Sequence, residues 1–135
     1  MGIRVLRNEL TTIEGLQLVG VDDLWGPNYN AFKVLPQVNK DQAVLALCHN
    51  PDAQDLVEWQ GYQGWVLAGH THGGQCKPPF LPPPLLPVSN RRYTSGVFDL
   101  GNQRQLYINR GLGYVMRVRF NCRPEMTLFR LTAAA

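Results

Sequence analysis

The chain has 135 residues, with 13 Lys and Arg against 10 Asp and Glu, 44% apolar and 17% charged residues. That length suits one domain with a buried core, and no charge block holds the chain expanded, which excludes intrinsic disorder. A net charge of +3 with scattered basic residues carries no nucleic-acid signal, and no run approaches the ~18 apolar residues of a membrane helix. The first residues lack the apolar core and cleavage site of a signal peptide. The expectation is one soluble domain over residues 1–135, cytoplasmic as given, with a membrane-peripheral or exported longer form left open. Cys48, Cys76 and Cys122 are odd in number and widely spaced, which reads as free thiols in a reducing compartment.

Residues 3–7 and 16–21 are rich in branched side chains and flank a hairpin turn at Glu14-Gly15. Gly26-Pro27-Asn28 marks a loop, and residues 30–38 predict a short helix that Pro36 restricts. Residues 43–48 form a continuous apolar run, as expected of a strand buried on both faces, and end in His49-Asn50-Pro51-Asp52. Asp52 is placed to cap a helix reaching about Gln60. Residues 65–68 are a second buried strand, ending in Gly69-His70-Thr71-His72-Gly73-Gly74-Gln75.

Strand–helix–strand with apolar strands is the pattern of a parallel crossover, which puts both polar tips at neighbouring C-terminal strand ends. Residues 77–87 are proline-dominated and read as an extended loop laid across the fold by its apolar side chains, with a recruited PxxP ligand as the sharper alternative. Residues 93–100, 105–109 and 126–131 read as an antiparallel meander, with a tight turn at Gly101-Asn102. The fold class is α/β: a mixed β-sheet with flanking helices.

All three histidines, His49, His70 and His72, lie in the two strand-tip loops. Imidazole is the commonest borderline metal ligand, and glycines at 69, 73 and 74 permit the turns and close approach such a loop needs. Clustering at adjacent tips of a crossover unit points to metal or phosphate chemistry rather than incidental loop histidines.

These residues carry a resemblance. Residues 48–52 and 69–75, followed by Asn109-Arg110-Gly111-Leu112-Gly113, resemble the calcineurin-like metallophosphoesterases. The bacterial phosphodiesterase branch, whose glycine-histidine motif continues Gly-His-Thr-His-Gly-Gly-Gln, is the most similar. The opening through Trp25 and the ending over residues 121–131 fit that branch as well, so the resemblance covers nearly the whole chain. It implies half of a four-layer α/β/β/α sandwich, divalent ions (Mn, Fe or Zn) and a phosphoester substrate. It assigns His49 and His70 to one metal and His72 to the other.

The family's earlier motifs, Asp-x-His, Gly-Asp-x-x-Asp and Gly-Asn-His-Glu or Gly-Asn-His-Asp, do not occur here. The chain therefore resembles the C-terminal half only. The bridging aspartate, the Asn ligand and the leaving-group histidine would come from the other half. The expectation is a chain weakly active or inactive alone, which docks with a missing N-terminal half or forms a homodimer through an apolar face. A non-catalytic remnant serving metal binding or association is the alternative, and a small zinc-stabilised interaction domain is a third reading.

Other residues have two readings. Asn50 and Gln75 are expected to orient the ligand loops, and Arg110 either approaches a phosphate or is structural. Gly111 and Gly113 read as turn residues, and Cys48 and Cys76 beside the histidines match no standard zinc spacing. Trp25, Trp59 and Trp65 read as core or rim packing.

Overall fold

The computed structural model describes residues 2–114 and 116–132. Its strands are β1 Glu9–Ile13, β2 Leu16–Val21, β3 Val44–Cys48, β4 Gly64–Ala68, β5 Gly96–Asp99 and β6 Arg104–Ile108. They form one sheet in the order β1-β2-β3-β4-β6-β5. β2, β3, β4 and β6 run parallel, with β1 and β5 antiparallel on the edges. This is the expected mixed α/β sheet. The anticipated meander contributes only its β5–β6 hairpin, and β6 joins the parallel set.

The hairpin turn at Glu14-Gly15 is present, with both residues at positive φ (49° and 85°) as a two-residue turn of primed type requires. That turn pairs Ile13 with Leu16 and fixes 9–13, not 3–7, as the partner of β2. Residues 3–7 instead lie over the sheet beside Gly20, where a Cβ would stand 2.2 Å from that of Leu6. Arg7 is tied there to Asp22 at 2.9 Å.

The register aligns Val19, Ala46, Val66 and Leu106 in one row across β2, β3, β4 and β6, all fully buried. A four-residue helix, α1 (Ala31–Val34), covers this face together with Ala53, Trp59 and Tyr62. Asn30 caps α1, and Pro36 confines Leu35–Gln37 to a 3-10 turn. The other face carries Leu18, Leu45, Leu47, Trp65 and Leu67. It is open, with Leu47 40% and Trp65 42% exposed, so the expected burial of both faces is not met within this chain.

The expected helix over 52–60 is replaced by two 3-10 turns, Pro51–Asp55 and Val57–Trp59, separated by an extended Leu56. Asn50, not Asp52, supplies the cap. The Asp52 carboxylate is engaged elsewhere, accepting from the N–H groups of Ser89 (2.6 Å) and Asn90 (3.0 Å). It thereby anchors the end of the proline-rich strap. That strap buries Leu86 but leaves Phe80, Leu81 and Leu85 exposed. Residues 126–131 form no strand. Among the described residues, no helix is long and apolar enough to cross a membrane.

Candidate metal centre

β3 and β4 are paired in parallel, so the loops leaving their C-terminal ends lie side by side and bring His49 to His70. His49 Nε2 and His70 Nδ1 face each other at 3.1 Å, with ring centroids 4.9 Å apart. The remaining His70 nitrogen, Nε2, stands 2.8 Å from the carbonyl of Pro87. A carbonyl only accepts, so His70 carries its proton on Nε2 and turns the Nδ1 lone pair toward His49. Trp25 packs edge-on against His70, with ring centroids 4.4 Å apart. Burial pushes His49 below the ordinary imidazole value; the neighbouring His70 adds to this and Asp23 opposes it. His49 is thereby biased toward the neutral form that a metal ligand needs.

His72 and His70 both line one cavity. His72 Nδ1 lies 3.3 Å from Gln75 Oε1, while Gln75 Nε2 donates to the Met116 carbonyl at 2.9 Å. The second bond sets the amide orientation, so His72 donates from Nδ1 and keeps Nε2 as its lone pair. No three His, Cys, Asp or Glu among the described residues are grouped to hold one ion. The structure thus brings His49 and His70 together as a donor pair and leaves His72 apart.

The loop carrying these rings is strained. His70, His72 and Gln75 all take positive φ (67°, 51° and 53°), each costing about 1–2 kcal/mol in a non-glycine residue. Such strain persists only where surrounding contacts over-determine it, and it gathers at functional sites. The contacts are visible. A Cβ on Gly73 would stand 2.6 Å from Cys122 Sγ, and one on Gly74 only 2.3 Å from the Pro83 ring. The two glycines let the loop pass between the C-terminal segment and the strap. Thr71 Oγ1 accepts from the N–H of Gly73 at 3.2 Å.

Asn50 is fully buried behind His49, its Oδ1 accepting from the N–H of Asp52 at 3.0 Å. Arg110 is held by Glu125 through its Nε at 2.6 Å. Burial would raise the Glu125 carboxyl, but bonds from Tyr107, Arg110 and Thr127 outweigh it and hold the group at about 2.

Sequence reasoning missed Arg119. Its guanidinium donates to the carbonyls of Arg110 (2.9 Å), Gly111 (3.3 Å), Cys122 (3.4 Å) and His72 (3.5 Å), and through Nε to Gly113 (3.2 Å). Cys122 adds a thiol bond to the His72 carbonyl at 3.1 Å. One side chain therefore gathers the 69–75 and 109–113 loops. No spacing rule signals such a fan of main-chain bonds.

The sequence has relatives among known proteins. The chain is 37% identical to the phosphodiesterase YaeI of Escherichia coli K12 over 134 residues, 96% of this chain and 48% of that protein. It is 33% identical to the uncharacterized metallophosphoesterase YkuE of Bacillus subtilis 168, over 96% of this chain and 47% of that protein. It is 31% identical to the UDP-2,3-diacylglucosamine pyrophosphatase LpxG of Chlamydia trachomatis serovar D, over 94% and 41%. The chain spans about half the length of these curated relatives or less. No family model matches it. No solved structure matches either.

Proposed function

From a chain that resembles about half of a metallophosphoesterase, we propose one part of a dinuclear, metal-dependent phosphodiesterase site. The observation that carries this reading is the convergence of His49 Nε2 and His70 Nδ1 at 3.1 Å, with the His70 tautomer set by Pro87. Two neutral imidazoles suit Mn, Fe or Zn, and the donor set fits as a partial one, lacking a carboxylate bridge. In this reading His49 and His70 would hold one ion and His72, through Nε2, the other. Divalent ions bound there would supply an acidified water and offset charge on the phosphate.

The chain's own residues position these ligands. Asn50 caps the turn after His49, and Gln75 orients His72. Arg110 lies on the phosphate side, braced by Glu125. Residues 1–135 act as one domain, the C-terminal half of the enzyme. The open sheet face with Leu45, Leu47, Trp65 and Leu67 accepts an N-terminal half bearing the missing aspartates, which the doubled length of the relatives supports. Three free cysteines support a reducing, cytoplasmic setting.

Zinc titration of the chain by calorimetry tests the reading. Binding that is lost in His49→Ala and His70→Ala is expected, and wild-type binding unaffected by either change would contradict it. The second reading, a remnant serving association alone, is favoured by the same open face; it predicts a homodimer by light scattering and no metal dependence.

A further inference from the structure

Positive charge is unevenly placed along this chain. Residues 100–135 carry six arginines and a single acid, Glu125, so that segment holds more positive charge than the net +3 of the whole sequence. Three of those arginines, Arg110, Arg119 and Arg123, line one cavity of about 760 Å³ together with Asn121, Cys122 and Pro124. That volume lies within the range of small-molecule sites. Among the described residues, no carboxylate and none of the three histidines lines it. Arg119 gives its donors to main-chain carbonyls, which satisfy its hydrogen bonds without neutralising its charge. Arg110 gives Nε to Glu125, and its terminal nitrogens have no partner among the described residues. The Arg123 side chain is exposed and makes no hydrogen bond or ion pair among the described residues. Like charges gathered in this way repel one another. An oxyanion relieves that repulsion while accepting paired N–H bonds in the fork geometry of a guanidinium.

We propose that this cavity is a binding site for a phosphate-class oxyanion, separate from the histidines. Arg110 and Arg123 supply the hydrogen bonds, and Arg119 supplies a charge fixed in place by its carbonyl partners. The site goes beyond the proposed function, shares only Arg110 with it and needs no metal. Arg119 also donates to the carbonyls of Arg110 and His72. An anion here therefore faces the guanidinium that gathers the 69–75 and 109–113 loops.

The test is a titration of the metal-free 135-residue chain with inorganic phosphate at constant ionic strength, followed by backbone amide NMR shifts. Saturable shifts at Arg119, Cys122 and Arg123 are expected, with His49 and His70 unmoved, and chloride should not reproduce them. Arg123→Gln should weaken binding about tenfold or more, through the loss of charge-assisted hydrogen bonds. Arg123→Lys keeps the charge but not the fork, and should weaken binding less than Arg123→Gln. Lys40→Gln removes the same charge at an exposed position outside the cavity and should leave binding unchanged. Equal weakening by Lys40→Gln and Arg123→Gln would mean diffuse attraction to net charge and overturns the inference, as does the absence of saturable shifts. Shifts that require Zn²⁺, or that centre on the histidine loops, would place the phosphate at the metal centre and overturn it too. Failure of zinc to bind counts against the proposed function alone.

Discussion

The Nε2–H of His70 donates to the carbonyl of Pro87 across 2.8 Å, so the strap decides which face of that imidazole is basic. A ligand's second nitrogen is commonly fixed by such an outer partner, which sets ring orientation as well as tautomer. Long-range proton–nitrogen spectra of the metal-free chain should show His70 protonated on Nε2 and His72 on Nδ1. His70 protonated on Nδ1 would remove the lone pair that faces His49 and contradict the assignment.

Gly73 and Gly74 are required by packing as well as by φ. Gly74→Ala would drive a methyl into the Pro83 ring at 2.3 Å, where a close-packed neighbour and the strained φ together cost about 1–3 kcal/mol or more. Gly111→Ala has a similar φ of 68° but open space, and should cost about 1 kcal/mol. Urea unfolding of both variants checks the order, and equal losses would mean the strap does not press on the loop.

Glu125 makes stability depend on acid. Its folded carboxyl sits at about 2 against an ordinary 4.5. Between those values the unfolded chain binds the extra proton, so stability rises with pH. The contribution is complete above about 4.5 and disappears as pH falls toward 2. Glu125→Gln should flatten the unfolding midpoint over this window, and a variant with the wild-type slope would place the acid sensitivity elsewhere.

Arg119 should tolerate no replacement of its fork. A lysine cannot spread donors over five carbonyls, so Arg119→Lys should lose nearly as much as Arg119→Ala, about 2 kcal/mol for the uncovered main-chain acceptors. Amide exchange of Gly73 and Gly111 should quicken in both variants. Full retention of protection in Arg119→Lys would reduce the residue to a simple charge.

Local pattern made the parallel strands, the hairpin turn and the histidine tips legible, because apolar runs ending abruptly in polar loops leave few arrangements. The same runs predict burial of both strand faces, but Leu47 and Trp65 are exposed, because no described segment fully covers their side of the sheet. The 52–60 helix failed for a local reason: Leu56 is extended, and Asp52 serves the strap instead of a cap. Long-range ties such as Glu125 with Arg110, or Arg119 with the His72 carbonyl, join segments that no periodicity connects. The glycine pair was readable as a need for close approach, but not what approaches.

The central claim is that this chain holds one share of a two-part phosphodiesterase site. The direct measurement is hydrolysis of bis(p-nitrophenyl) phosphate with Mn²⁺ by the 135-residue chain alone, and again with the N-terminal half of the Escherichia coli relative added in trans. The proposed function predicts marginal turnover alone, because loss of proton transfer by a placed side chain costs roughly 10²–10⁴-fold by itself. It predicts turnover on mixing that His70→Ala abolishes. Robust turnover by the chain alone, lost on changing His70 or His72, would contradict it.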